Sequence, residues 1–553
     1  MTRDGGQTLV AQLDAHGVEL AFCVPGESYL PILDALHDSP IRLISCRHEA
    51  AAANMAEAYG KLTGRPGICL VTRGPGATHA SVGVHTADQD STPMILLVGQ
   101  VPRAFRGRAA FQELDYPTVF GSMTKWAAEA SAAAELPELL ARAFATAVER
   151  RPGPVVLALP EDVLAEESNV DDVEPATVQR PRVSDRELSR LRELLAAAER
   201  PLVIVGEGGW TARAGEDALA FCEANELPVA ASFRCQDYVD NRSPCYAGHL
   251  TIGMDPKLAQ RVLDADLIVA IGGRLGDSTT QGYTLLDPPR PRQRIVHVHP
   301  DAAELGRVYA PEIGIASGLP EFVAAARALQ PIDPSHWRSW TKAAHADYVA
   351  NLRHRPLPGN VDLGDVMDFL RARLPTDAIL TCGAGNFTVW AHRFYEFSQY
   401  GTQLAPRSGA MGYGVPAALA AKALEPDRIV VCIAGDGDFL MSSAELATAV
   451  QHDLPVVILV VDNGMYGTIR MHQERLYPGR ATGTDLVNPD FTDYARSFGC
   501  HAETVERTAD LEAAFENALN SGRPSVLSLP VDPEAISPRA TIAELRSGRV
   551  SGR

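Results

Sequence analysis

The chain has 553 residues, 46% hydrophobic and 22% charged, ordinary values for a globular protein and enough length for three or four domains. Asp plus Glu number 69 against 50 Lys plus Arg, and the net charge of −19 excludes the electrostatic footprint of a general nucleic-acid binder. No uninterrupted apolar run reaches the roughly 18 residues of a membrane helix, and the opening Met1-Thr2-Arg3-Asp4-Gly5-Gly6 lacks a signal peptide's apolar core. The nine cysteines are scattered with no Cys-x-x-Cys pair, and read as reduced core thiols of a cytoplasmic protein rather than a disulfide or zinc framework.

Along the chain, unbroken apolar runs occur at 67–72, 94–98, 155–159, 202–205, 267–271, 295–298, 429–433 and 456–461, separated by Ala/Leu/Glu-rich segments of helical period. Such runs suit strands buried on both faces, with the helices as right-handed crossovers. Two linker-like stretches, 167–185 and 330–360, divide the chain into about 1–180, 185–330 and 360–553. The pattern predicts three doubly wound α/β domains with mainly parallel sheets. In such sheets ligands bind beyond the carboxyl ends of the strands, so the glycine-rich turns there are where chemistry is expected.

One turn carries a specific signal. The run 428–434 leads directly into Gly435-Asp436-Gly437-Asp438, where glycines let the backbone approach a phosphate closely. The loop has no lysine and offers a carboxylate, which repels phosphate unless a hard cation bridges them; Mg2+ does so with one or two protein oxygens. Ser442 and Glu445 are spaced as a capping box for a following helix. The next run ends in Asp462-Asn463-Gly464-Met465, and neighbouring parallel strands bring Asn463, 27 residues after Asp436, toward the same cation. Gly-Asp-Gly alone reads as a tight turn; with Asn463 at this spacing it reads as a site for a metal-bound diphosphate.

This arrangement resembles the thiamine-diphosphate motif of 2-oxo-acid decarboxylases and carboligases, with Asp462 standing where the family has the first of two asparagines. The resemblance implies Asp436, Asn463 and the Met465 carbonyl as Mg2+ ligands. Cys46-Arg47-His48-Glu49-Ala50, opening an Ala-rich helix, resembles the family element whose glutamate hydrogen-bonds N1′ of the aminopyrimidine, which makes Glu49 the proton manager. The segment 408–418 resembles the apolar wedge that bends the cofactor, implying Met411 beneath it and the Gly409 carbonyl accepting from the 4′-amino group. Further cofactor contacts implied are Val24, Pro25, Gly26, Gly385, Asn386, Phe387, Gly435, Gly437, Asp438 and Tyr466.

Val24-Pro25-Gly26, Gly74-Pro75-Gly76-Ala77-Thr78, Phe111-Gln112-Glu113 and Thr124-Lys125-Trp126 are similar to segments of the acetolactate synthase catalytic (large) subunit, and the likeness covers nearly the whole chain. It implies a pyrimidine-binding first domain, a central domain and a diphosphate-binding last domain. It also implies decarboxylation of a 2-oxo acid such as pyruvate, with transfer of the two-carbon unit to an acceptor. The minimum unit implied is a homodimer, with tetramers common, in which Glu49 of one protomer faces Asp436 of the other; acceptor and regulatory subunit are left open.

Departures from the synthases are Glu27 for a glycine, His472 for a pocket tryptophan, and Asn386-Phe387 for a Gln-His pair that holds diphosphate. Gln112, Lys125, His85 and His472 are candidates for orienting substrates; the departures, together with His85, point to altered acceptor choice and leave a true synthase open. A lyase or acyltransferase on another 2-oxo or 2-hydroxyacyl substrate is the alternative. A nucleotide-dependent oxidoreductase is disfavoured, because no complete Gly-x-Gly-x-x-Gly with a ribose-binding acid follows a strand. The turns 205–209 and 270–274 resemble those that hold FAD in synthases; FAD, another nucleotide and plain domain architecture stay open there. His297 and His299, alternating on one strand, read as packing residues.

Overall fold

The computed structural model describes residues 2–548. These form two compact units, one built from residues up to 179 with 406–427 and 440–456, the other from 180–405, 428–439 and 457 onward. The first unit holds a six-stranded parallel sheet: β1 (Leu20–Cys23), β2 (Arg42–Ser45), β3 (Gly67–Val71), β4 (Met94–Gln100), β5 (Trp126–Glu129) and β6 (Pro154–Pro160), ordered β2-β1-β3-β4-β6-β5. β3, β4 and β6 are buried along their whole length, the physical reason their sequences are unbroken apolar runs.

The second unit holds two such sheets. The central one has β7 (Pro201–Val205), β8 (Val229–Ala231), β9 (Tyr246–His249), β10 (Leu267–Ile271), β11 (Arg294–His299) and β12 (Ile313–Ala316), ordered β9-β8-β7-β10-β11-β12. The other has β13 (Ile379–Cys382), β14 (Gln403–Leu404), β15 (Val430–Gly435), β16 (Val457–Asp462), β17 (His501–Thr504) and β18 (Ser525–Pro530), ordered β14-β13-β15-β16-β18-β17. All pairings within both are parallel. Counted within its own sheet, the first and last share the order 2-1-3-4-6-5, while the central one is 3-2-1-4-5-6, the order of dinucleotide-binding sheets. The predicted fold class holds throughout.

In the first unit, Glu49–Thr63 is helical because it is rich in alanine; His48 Nδ1 caps it by accepting from Ala50 N at 3.1 Å, and Gly64 ends it at φ +67°. The helix Gly414–Leu424 packs on it. There the Tyr413 hydroxyl donates to Glu57 Oε2 at 2.5 Å, and Thr92 Oγ1 donates to Glu57 Oε1 at 2.8 Å. Burial pushes the Glu57 carboxyl up, against the pull of Lys61 beside it.

The expected capping box does not form. A 3-10 turn, Ser443–Glu445, precedes the helix Leu446–Gln451, and Ser442 Oγ is buried without a partner among the described residues. Glu445 is drawn elsewhere: its carboxylate accepts the N–H groups of Arg47 and His48, each at 3.0 Å, and the Thr448 hydroxyl at 2.5 Å.

In the second unit, buried Asp237 accepts from Gly401, Thr402 and Gln403 N at 2.9, 3.0 and 3.2 Å, anchoring the short edge strand β14. All nine cysteines are buried and unbridged, as their spacing predicts. Among the described residues no helix is long and apolar enough to cross a membrane.

Candidate active site

In the first and last sheets the strand order reverses between the first and third local strands, and the glycine-rich turns leave the sheet at those points. In the first unit they are 24–27 after β1 and 72–76 after β3; in the second, 383–386 after β13 and 435–438 after β15.

In the first unit these turns lie around Glu49, the first residue of its helix, with its side chain 14% exposed. Oε2 lies 2.9 Å from Nδ1 of His79, and Oε1 borders Gly76, where an added Cβ would stand 3.4 Å away. The His79 ring stacks on that of His48, centroids 4.6 Å apart. Next to this turn Tyr29 donates to the Val24 carbonyl at 2.5 Å, and Glu27 pairs with Arg73 at 2.8 Å, which also binds Glu161. Gln112, at φ +65°, has its Cβ and carbonyl 2.8 Å from where a Cβ on Gly74 would lie, so Gly74 must be glycine there. The wedge segment is fixed by Ser408 Oγ at 3.0 Å from Thr86 Oγ1 and by Arg407 N donating to Asp90 at 2.7 Å. Gly409 is exposed at φ +71° and Met411 is half-buried.

The second unit has a cluster of oxygens at its turns. Asp436, 3% exposed, accepts Gly437 N at Oδ1 and Asn488 Nδ2 at Oδ2, both at 2.8 Å. The same Asn488 amide donates to Asp462 Oδ1 at 2.8 Å, while Asn488 Oδ1 is buried with no partner among the described residues. Asn463 Oδ1 accepts from Met465 N at 3.2 Å. Burial raises the Asp436 carboxyl, and the nearby Asp462 charge adds to it. Two carboxylates and two amide oxygens, one an orphan, are the hard donors a divalent cation takes, so the residues fit Mg2+.

The glycines here are set by close packing: a Cβ on Gly435 would stand 2.7 Å from the Phe387 ring, and one on Gly437 would stand 2.6 Å from the Tyr466 ring. Asp438, also buried, accepts Ala384 N at 3.1 Å and ties the two turns together; a Cβ on Gly383 would collide with its carboxylate. Gly385 lies against Phe387, whose ring belongs to the core. The Asn386 amide is spent on the Ile536 carbonyl at 2.8 Å and the Thr468 hydroxyl at 3.0 Å, so its side chain is not turned out toward a ligand. His472 is exposed on the helix Gly467–Leu476, and His85 is exposed on the helix Pro75–Asp90.

Lys125 is a correction. It precedes β5, at the amino edge of the first sheet and opposite the turns 24–27 and 72–76. Its ammonium binds the Thr146 carbonyl and, at 2.6 Å, that of Glu149, closing the end of the helix Leu136–Val148. It is not placed to orient a substrate. His79 and Asn488 were missed by sequence reasoning, and Glu445 was read there only as a capping residue; His79, in the Gly-Pro-Gly turn's helix, was the nearest to a readable signal.

The chain matches three family models in order: the N-terminal TPP binding domain of thiamine pyrophosphate enzymes over residues 3–119, their central domain over 188–326, and their C-terminal TPP binding domain over 383–529. The chain is a thiamine pyrophosphate enzyme. It is 31% identical to the acetolactate synthase isozyme 2 large subunit of Escherichia coli over 532 residues, 96% of either chain. It is 33% identical to the acetolactate synthase large subunit of Parasynechococcus marenigrum (96% of this chain, 88% of that one) and 32% identical to that of Corynebacterium glutamicum (96% and 87%).

The central sheet's crevice, between β7 and β10, does not fit FAD. Glu207 follows β7 at φ +59°, 2% exposed, and its carboxylate accepts Arg274 N at 2.9 Å and Nε at 2.5 Å across the crevice. The Trp210 indole donates to the Gly206 carbonyl at 2.9 Å, and Gly272 touches that carbonyl so closely that no Cβ fits. A buried carboxylate lies where a dinucleotide's diphosphate would sit in a sheet of this order. His297 and His299 bond the Gly273 and Asp301 carbonyls at 2.8 and 3.0 Å, so both have packing roles.

Proposed function

We propose that this thiamine pyrophosphate enzyme, with Mg2+, decarboxylates a 2-oxo acid such as pyruvate and passes the two-carbon unit to an acceptor, as the names of its synthase relatives suggest. The observation that carries the reading is the oxygen cluster of Asp436, Asp462 and Asn488 beyond β15 and β16, with Asn463 next along the chain from Asp462. Asp436, Asn463 and the Met465 carbonyl would hold the metal, and the turns 383–386 and 435–438 would admit the diphosphate. When bound, thiamine diphosphate supplies a nucleophilic C2 carbon and an electron sink for the departing CO2. Glu49 would hold and release a proton at the pyrimidine N1′, and Met411 would fill the bend of the cofactor. Glu49 of one protomer and Asp436 of another would complete each site.

A second reading, a lyase or acyltransferase acting on another 2-oxo or 2-hydroxyacyl substrate, is favoured by the charged Glu27–Arg73–Glu161 group beside the first-unit turns. The test is hydrogen–deuterium exchange at C2 of the bound cofactor. Glu49→Gln should take up cofactor normally and slow that exchange by about 10²–10⁴-fold. An unchanged rate rejects the role given to Glu49, and product analysis with pyruvate and candidate acceptors separates the two readings.

A further inference from the structure

The carboxylate on which the proposed chemistry depends is not alone. His79 Nδ1 lies 2.9 Å from Glu49 Oε2, with the imidazole 52% exposed and the carboxylate 14% exposed. In the single protomer one end of the histidine thus touches a mostly covered carboxylate while the rest is exposed. The ring is braced against that of His48, which is fixed in turn. His48 Nδ1 accepts the Ala50 N–H, and the His48 backbone N–H donates to the Glu445 carboxylate.

We propose that His79 is a relay and positioning residue for Glu49, carrying protons between solvent and that carboxylate. The inference rests on Glu49 being the cofactor's proton partner.

The step balances without any further reactant. With Glu49 ionised, the neutral imidazole donates from Nδ1–H to Oε2. A hydronium ion from solvent gives its proton to Nε2 and leaves as water, giving the imidazolium; the Nδ1 proton passes to Oε2, leaving a neutral carboxyl and an imidazole with its hydrogen on Nε2. The reverse sequence discharges the proton to water. Oε1 stays clear of the exchange, so one carboxylate can face the histidine and a second partner together. Without the histidine, a carboxylate this covered would trade protons with bulk water only through its small exposed edge.

Other ionisable groups bear on the pair. Tyr29 and Cys69 carry the Glu49 charge among their influences, and burial holds both in their neutral forms. Glu445 lies beside Arg47 and His48, tied to their backbone, and the Arg47 side chain turns to Gln451. None of them bonds the Glu49 carboxylate; His79 does.

The test uses His79→Asn, which keeps a side-chain donor but cannot carry a proton, and His79→Ala. In the apoprotein, histidine-selective NMR assigns the His79 signals by their loss in the variants, and the Nδ1–H signal held by the Glu49 carboxylate should be lost in Glu49→Ala. In the holoenzyme, His79→Asn should bind cofactor and unfold at the wild-type temperature yet slow C2 exchange at least about tenfold. Added imidazole should restore the rate in His79→Ala. An Nδ1–H signal unchanged by Glu49→Ala, or a wild-type exchange rate in both His79 variants, overturns the proposal. If Glu49→Gln itself exchanges normally, the reading of Glu49 has failed; if it is slow while the His79 variants are fast, only the relay has.

Discussion

Asn488 stands 52 residues beyond Asp436 and 26 beyond Asp462, yet its one amide bridges both carboxylates and leaves its oxygen buried and unpaired. Nothing around Asn488 in the sequence marks it, because its partners are set by how the loop 484–488 returns to the strand ends. Asp436 and Asn463 were legible because each directly follows a buried strand, so that a parallel sheet alone determines their neighbourhood. Glu49 was legible for a similar reason, at the mouth of an Ala-rich helix. His79 was hidden, since one histidine at a helix start says nothing of what faces it across the fold. If the orphan oxygen serves the cation, Asn488→Ala should weaken Mg2+-dependent cofactor binding about 10- to 150-fold, measured by titration at several Mg2+ concentrations, because a buried acceptor to a charged group contributes roughly 1.5–3 kcal/mol. Affinity equal to wild type at every concentration would show that the oxygen plays no part.

At the scale of elements, the strands in the centres of the sheets were readable from apolar runs. The edge strands β14 and β17 were not, being short or half-exposed. β14 has only two residues and is held by a neighbour in space, Asp237, whose three N–H contacts substitute for the length it lacks. Burial raises that carboxyl to about 6 from 3.8, more than its three hydrogen bonds lower it. The folded state therefore keeps a proton that the unfolded chain has lost between these two values, so stability from this residue falls as pH rises through the interval. The loss is on the order of 3 kcal/mol, complete above about pH 6. Unfolding midpoints of wild type relative to Asp237→Asn should fall between pH 4 and 6.5, and a flat difference would contradict the assignment. The capping box failed at this same scale: Ser442 and Glu445 have the right spacing, but the backbone N–H groups of Arg47 and His48 compete successfully for the glutamate.

For the whole molecule, three doubly wound sheets could be read from the sequence, while the shared strand order of the first and last could not, because repeated topology leaves no repeated residues to find. The central sheet has the order of a nucleotide binder, yet its crevice is taken by Glu207 and Arg274. Glycine-rich turns alone therefore did not distinguish a filled crevice from an open one. If each site draws Glu49 and Asp436 from different protomers, mixing the inactive variants Glu49→Gln and Asp436→Ala under conditions that exchange subunits should restore about a quarter of the wild-type sites, since half of the dimers are hybrids with one intact site each. No recovery in an exchanging mixture would place both residues of each site in one protomer.

The most direct measurement is calorimetric titration of the apoprotein with thiamine diphosphate, with and without Mg2+. The account predicts saturable binding only with the cation, abolished in Asp436→Ala and preserved in Glu49→Gln. Binding that ignores Mg2+ and survives Asp436→Ala would contradict it.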